Sequence, residues 1–323
     1  MKITILGSGA YGCALAQITN ENKHETTLYS PIESEVEAIK KTRQTKKLPN
    51  IKINENIKIT SNLKQVLEKT DLIIIAIPTE FLKKTIKEVK KYYTNTPICI
   101  ATKGIEQDSN LFVYDIVKNI LKTEKIAVIS GPSFAIDIAQ NNPVGLTLAC
   151  QNKETIELTF KALSNNHFKL RKTPDIIGTE ICGSVKNIIA IAAGMLAGLN
   201  ASESTQAMLI TESLHDIKSL IKGLGGNGDT VLSYAGFGDL LLTATSPKSR
   251  NYTLGHMIGT KKDEKEINNY IKNTTIEGLY TLKSVKQLVI NKDVSMPIID
   301  LIEQIIYNKE KPEKLIEFLI QKP

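Results

Sequence analysis

Through the first half of the chain, short hydrophobic runs alternate with polar stretches of helical period, and this alternation predicts a doubly wound α/β domain. Lys2 to Leu6, Glu25 to Ser30, Ile57 to Thr60, Asp71 to Ile77, Pro97 to Ala101, Ile126 to Ser130, Val144 to Ala149 and Phe168 to Arg171 read as strands. Asp71 to Ile77 is almost wholly apolar and closed by Pro78, the signature of a parallel strand buried on both faces. Helices are expected between the strands, one from Ser61 and one over Lys153 to Leu163. Another should follow the second strand, its start marked by Ser30 as cap, Pro31 at the first position and Glu33 as capping-box partner. From Thr179 onward the strand punctuation disappears and helical periodicity dominates. The expected division is a sheet domain over residues 1–178 and an all-helical domain over residues 179–323, with no internal repeat or low-complexity tail.

The first strand runs straight into Gly7-Ser-Gly-Ala-Tyr-Gly12, and a helical pattern follows through Cys13, Ala14, Leu15, Ala16 and Ile18. In a strand–turn–helix of this spacing Gly7 permits the tight turn, Gly9 lets the backbone approach a pyrophosphate, and Gly12 lets the helix pack on the strand. The helix N-terminus then faces the phosphates. NAD binders commonly end the second strand in an acid that holds ribose hydroxyls, and NADP binders carry a basic residue nearby. Here Ser30 and Pro31 stand in that place. The missing acid leans toward NADP, the missing arginine away from it, so either NAD or NADP remains open.

Chemistry-bearing residues gather at strand ends and in the helical half. Lys103, in Thr102-Lys-Gly104, lies at the carboxyl edge of a strand, where open parallel sheets bind ligands, although a solvated loop lysine fits the same pattern. Gly131-Pro-Ser-Phe-Ala135 opens a helix whose amides and Ser133 can meet a ligand oxygen, or simply cap it. Lys186, followed by Asn187, is the one basic residue in a stretch dense in Ile, Ala and Gly; at helical spacing it shares a face with Cys182, Gly183, Ile189, Ala190 and Ala193. A lysine there is either a snorkelling side chain on a core helix or a partly dry amine usable as an acid or base. Gly236-Phe-Gly-Asp-Leu-Leu-Leu-Thr243 puts Asp239 and Thr243 one turn apart on one face. Ser249-Arg-Asn251 sets Arg250 beside a helix start, an arrangement suited to phosphate or to plain capping. Gly223 to Gly228 lacks the lysine of a phosphate loop and reads as a flexible connection.

Composition narrows the setting. With 323 residues, 41% hydrophobic and 23% charged, the chain can bury two cores. Cys13, Cys99, Cys150 and Cys182 are scattered singly, which disfavours disulfides or a zinc site, and no histidines sit at metal-ligand spacing. No metal is expected. A net charge of +7 suits small anionic ligands, but no basic run with interleaved aromatics marks a nucleic-acid surface. The longest charge-free apolar run, Ile188 to Leu199, is too short to cross a bilayer, and no targeting segment precedes the first strand. A cytoplasmic protein without membrane insertion is expected.

Taken in order, Gly7 to Gly12, Ala101 to Gly104, Ser130 to Ala135, Val185-Lys-Asn187, Gly236 to Thr243, Ser249 to Asn251, Glu277-Gly278 and Met296-Pro-Ile298 make the chain resemble bacterial NAD(P)-dependent glycerol-3-phosphate dehydrogenase over essentially its whole length. The resemblance implies a Rossmann-type domain followed by a helical one, and the reversible reduction of dihydroxyacetone phosphate to sn-glycerol 3-phosphate for glycerophospholipid synthesis. It implies that Lys186 is catalytic, assisted by Asp239 and Lys103. Lys103, Gly131, Ser133, Lys186, Asn187, Asp239, Thr243, Ser249, Arg250 and Asn251 are the expected substrate contacts. Gly7, Gly9, Ala10, Tyr11, Gly12, Lys103, Ala135, Arg250 and Glu277 are those expected for the cofactor. A homodimer is also implied. The pattern departs at Pro31, where the family usually has Arg or His, at Glu212, where Arg commonly follows Leu209-Ile-Thr211, and at Thr275, which replaces an apolar residue. Dehydrogenases sharing the two-domain plan, of the 3-hydroxyacid dehydrogenase or ketopantoate reductase type, or a non-catalytic dinucleotide-binding protein, are the competing readings.

Overall fold

A computed structural model describes residues 1–321. The chain forms two compact units, Met1–Lys103 with Leu111–Ile176, and Gly104–Asn110 with the chain from Ile177 onward.

The first unit runs β1 (Lys2–Leu6), α1 (Ala10–Glu21), β2 (Glu25–Tyr29), α2 (Glu33–Thr42), β3 (Lys58–Thr60), α3 (Leu63–Leu67), β4 (Leu72–Ile75), α4 (Thr79–Lys90), β5 (Ile98–Ile100), α5 (Val113–Leu121), β6 (Ile126–Ser130), α6 (Ala135–Ala139), β7 (Val144–Ala149), α7 (Lys153–Leu163) and β8 (Phe168–Thr173). The strands form one sheet of order β3-β2-β1-β4-β5-β6-β7-β8. Successive side chains point to opposite faces. Ile3, Ile5, Leu72 and Ile74 therefore join Leu15 of α1 and Leu163 of α7 in one core, while Leu6, Ile73 and Ile75 join Leu82 and Ile86 of α4 and Val117 of α5 in the other. All four residues of β4 are buried, as its unbroken apolar run predicts.

Two sequence expectations are corrected. Ser30 does not cap α2: the residue before its first turn is Ile32, with no side-chain cap, and Ser30 Oγ instead donates to Glu35 Oε2 at 2.8 Å. Pro31 and Ile32 are spent on the bend between strand and helix. Within the sheet β7 runs antiparallel to β6, while every other pair is parallel. The connection between those two strands holds only the five-residue α6, too little helix to carry the chain back across the sheet. Gly223 to Gly228 is not wholly a loose connection, since Asn227 Oδ1 accepts from Asp229 N and caps a 3-10 turn over Gly228–Leu232.

The second unit is helical: α8 (Ile176–Gly198), α9 (Glu203–Gly223), that 3-10 turn, a π-type turn (Tyr234–Gly238), α10 (Asp239–Ala244), α11 (Arg250–Gly259), α12 (Glu264–Asn273), α13 (Glu277–Leu288), α14 (Pro297–Tyr307) and α15 (Lys314–Gln321). By length and composition α8 could cross a membrane, yet 89% of its most apolar window is buried inside the protein. Its partner is α11. A Cβ on Gly194 would stand 2.0 Å from the carbonyl oxygen of Tyr252, and one on Gly255 would stand 1.9 Å from that of Ile191. Only glycine allows the two backbones to meet so closely. Buried Asp216 of α9 fixes the start of α14, its Oδ2 accepting from the amides of Ile298 at 2.8 Å and Ile299 at 3.1 Å. All four cysteines are buried, and none of them forms a disulfide.

Candidate active site

In the first unit, candidate residues collect where β1, β4, β5 and β6 end. Gly7 has a φ of +118°, and a Cβ there would lie 2.4 Å from Ala76 O. A Cβ on Gly12 would lie 1.9 Å from Gly7 O, whereas one on Gly9 would meet nothing within 4 Å. The turn is therefore closed on its inner side at Gly7 and Gly12 and open at Gly9, which leaves room for a pyrophosphate above the start of α1. These residues fit a dinucleotide. Ala10 and Tyr11 begin α1.

Tyr11 leads on to the other strand ends. Its hydroxyl lies 2.9 Å from Ser133 Oγ, Ser133 Oγ donates to Gly131 O at 3.2 Å, and Lys103 Nζ donates to the same carbonyl at 3.3 Å. Thr79 Oγ1 holds the backbone oxygen of Lys103 at 2.8 Å, so the lysine is carried by the start of α4 as well as by β5. Gly131 admits no side chain, since a Cβ would stand 2.7 Å from Gly145 O. Ala135 opens α6. Lys103, Gly131, Ser133 and Tyr11 thus form one hydrogen-bonded group.

The first unit also holds an acid that strand-end inspection misses. Glu35, in the first turn of α2, accepts from Ser8 Oγ at 2.6 Å and Ser30 Oγ at 2.8 Å, while Lys47 Nζ lies 2.5 Å from its other oxygen. Burial pushes its carboxyl upward, but these donors outweigh burial and hold it below the usual range. Its charge reaches the neighbouring core: the Cys13 thiol is pushed up to about 12, first by burial and then by Glu35. The sequence signal was a glutamate five positions past Ser30, weaker than an acid at the strand end.

In the second unit Lys186 of α8 meets Asp239, the first residue of α10. Nζ and Oδ1 are 2.5 Å apart, with side-chain exposures of 12% and 2%. The apolar face around Lys186 is formed by buried Cys182, Ile189, Ala190 and Ala193. Such burial disfavours a charge, and the contact with Asp239 supplies the compensation that a buried ammonium requires. The π-type turn before Asp239 is tightened at Gly236, where a Cβ would lie 2.1 Å from Val231 O. Thr243 shares the turn, but its hydroxyl donates to the Asp239 carbonyl at 2.6 Å.

One helical residue after Lys186 a second network begins. Asn187 Nδ2 donates to Glu277 Oε2 at 2.9 Å, Asn251 Nδ2 donates to Asn187 Oδ1 at 3.0 Å, and Gly278 N donates to Asn251 Oδ1 at 2.9 Å. Arg250 Nη2 lies 3.9 Å from Glu277 Oε1, and both side chains are about half exposed. Ser249 Oγ accepts from Tyr252 N and caps α11. The two asparagine amides are largely spent on organising the network, which leaves the Arg250 guanidinium at a helix N-terminus as the group suited to an anion. The α8/α11 glycines that hold this network in register were also missed in the sequence, where Gly194-x-x-x-Gly198 and Gly255-x-x-x-Gly259 signal them.

Comparison with known proteins agrees over the full length. A family model described as NAD-dependent glycerol-3-phosphate dehydrogenase N-terminus matches residues 2–156, and its C-terminus counterpart matches residues 175–317. The chain is 35% identical to a glycerol-3-phosphate dehydrogenase [NAD(P)+] of Fusobacterium nucleatum, over 99% of this chain and 97% of that one. A Bacillus subtilis protein of the same name is 33% identical, over 99% and 94%. The crystal structure of a glycerol-3-phosphate dehydrogenase from Coxiella burnetii superposes with a TM-score of 0.89 at 32% identity, covering 99% of each chain.

Proposed function

The chain belongs to the NAD-dependent glycerol-3-phosphate dehydrogenase family and is an oxidoreductase, and on that premise we propose how its residues carry the reversible reduction of dihydroxyacetone phosphate to sn-glycerol 3-phosphate. The bound reduced nicotinamide supplies the hydride that adds to C2 of the ketone. As negative charge grows on the C2 oxygen, the Lys186 ammonium stabilises it and transfers a proton to it, leaving a neutral amine. In the reverse direction that amine takes the proton from the C2 hydroxyl. Asp239, 2.5 Å from Nζ, holds and aims the Lys186 side chain between turnovers. Arg250 at the start of α11 binds the substrate phosphate, and the Asn187–Asn251–Glu277 network holds it in place. Lys103, Gly131 and Ser133 are the first unit's substrate-binding group, and the Gly7–Gly12 turn holds the dinucleotide pyrophosphate. The product feeds glycerophospholipid synthesis in the cytoplasm, and the enzyme acts as a homodimer.

The buried Lys186–Asp239 pair is the observation that carries this reading. Lys186→Ala should lower kcat for dihydroxyacetone phosphate by about 10³-fold, with NADH and NADPH binding within threefold of the parent. Initial rates at the nicotinamide absorbance band, beside calorimetric binding, measure both. A variant that kept more than a tenth of parental kcat would rule out Lys186 as the acid.

A further inference from the structure

β1 and β2 end side by side, with Leu6 paired to Tyr29, and the two serines that follow them share one carboxylate. Ser8 lies in the glycine turn and Ser30 closes β2, yet both hydroxyls donate to Oε2 of Glu35, at 2.6 and 2.8 Å. Lys47 takes Oε1 at 2.5 Å. An ionised carboxylate offers about four acceptor sites. Three are filled here, and with the side chain 17% exposed the fourth is open to a ligand hydroxyl.

A dinucleotide whose pyrophosphate lies on the Gly9 backbone places its adenosine ribose beyond the end of β2. We propose that Glu35 selects the cofactor: its carboxylate accepts a hydrogen bond from the ribose 2′-hydroxyl and repels a 2′-phosphate, so that this chain prefers NAD(H) to NADP(H). The proposal rests on the dinucleotide-binding reading above. It replaces the lean toward NADP drawn from the missing strand-end acid, because α2 delivers the acid from its first turn. The nearby donors do not rescue a phosphate. Ser8 and Ser30 each have one hydroxyl proton and give it to Glu35, and Lys47, although it keeps further N–H donors, holds the carboxylate at 2.5 Å, so a dianion that reached it would stand against the Glu35 charge.

Calorimetric titration of the full chain with ADP-ribose and with 2′-phospho-ADP-ribose tests this without turnover, since neither carries nicotinamide. A hydrogen bond to a charged group supports a preference of about tenfold or more for ADP-ribose. A smaller preference, or the opposite one, overturns the proposal. Glu35→Gln should shrink the ratio at least about fivefold, and an unchanged ratio overturns it equally. Lys47→Gln leaves the carboxylate and removes its cation, so the ratio should hold or widen; a fall toward one is incompatible with the proposal. Binding of neither compound to the parent would instead remove the dinucleotide-binding reading itself.

Discussion

Replacing Gly255 by alanine adds one methyl group at the α8/α11 crossing. Its Cβ would stand 1.9 Å from Ile191 O, 2.8 Å from Ile191 C and 2.9 Å from Met195 N, all backbone atoms of α8. A carbon needs about 3.3 Å from a carbonyl oxygen, so the helices must part locally by roughly 1.4 Å. No rotamer change relieves a clash with backbone. The crossing has no slack nearby, since a Cβ on Gly259 would lie 2.2 Å from Met195 O and one on Gly198 2.5 Å from His256 O. Overpacking of this kind costs about 3 kcal/mol, and alanine returns about 1 kcal/mol through helix propensity. The net loss of about 2 kcal/mol lowers Tm by roughly 4–8 °C. The same displacement stretches the Asn251–Asn187 hydrogen bond, 3.0 Å in the parent, beyond bonding range. Arg250 then shifts with α11, and kcat/KM for dihydroxyacetone phosphate should fall about 10²-fold. Scanning fluorimetry and steady-state kinetics on Gly255→Ala measure both effects. A Tm within 2 °C of the parent together with kcat/KM within threefold would refute the claim that this backbone contact sets the site.

Asp239→Asn preserves shape but removes the partner of an ammonium that is 12% exposed; kcat should drop about 10²-fold with dinucleotide binding unchanged, and full activity would show that the pair is only structural. Arg250→Ala should raise KM for dihydroxyacetone phosphate at least about tenfold with a smaller effect on kcat. Its loose 3.9 Å contact with Glu277 contributes little to stability, so an unchanged KM, or a large fall in Tm, would contradict its role as the phosphate anchor. Glu35 has a folded-state pKa below its unfolded value. Its stabilisation is therefore complete above about pH 4.3 and lost as pH falls through the depressed folded value. Urea denaturation should show Glu35→Gln less stable than the parent at pH 7, with the gap closing toward pH 3. A gap that grew on acidification would reverse the sign.

Local order determined much of this protein before any tertiary contact was known. β1, the Gly7–Gly12 turn and α1 follow from residues within a few positions of one another, because a glycine with φ of +118° and a helix seated on Gly7 O are short-range requirements. The apolar run of β4 and the apolar α8 are likewise written into period and composition, and so is the oddity of a lysine at position 186. The partners of these groups are not. Lys186 finds Asp239 fifty-three positions away, and Asn187 finds Glu277 ninety positions away, through helix packing that periodicity does not encode. Ser30 reads locally as a cap, yet it turns to Glu35 because the register of β1 and β2 brings Ser8 to the same carboxylate. The antiparallel β7 escapes for a similar reason: a strand's own residues set its burial, but its direction depends on how much chain the preceding connection has to cross the sheet. What a residue is follows from its neighbours in the chain; what it pairs with is decided by the packing of distant elements.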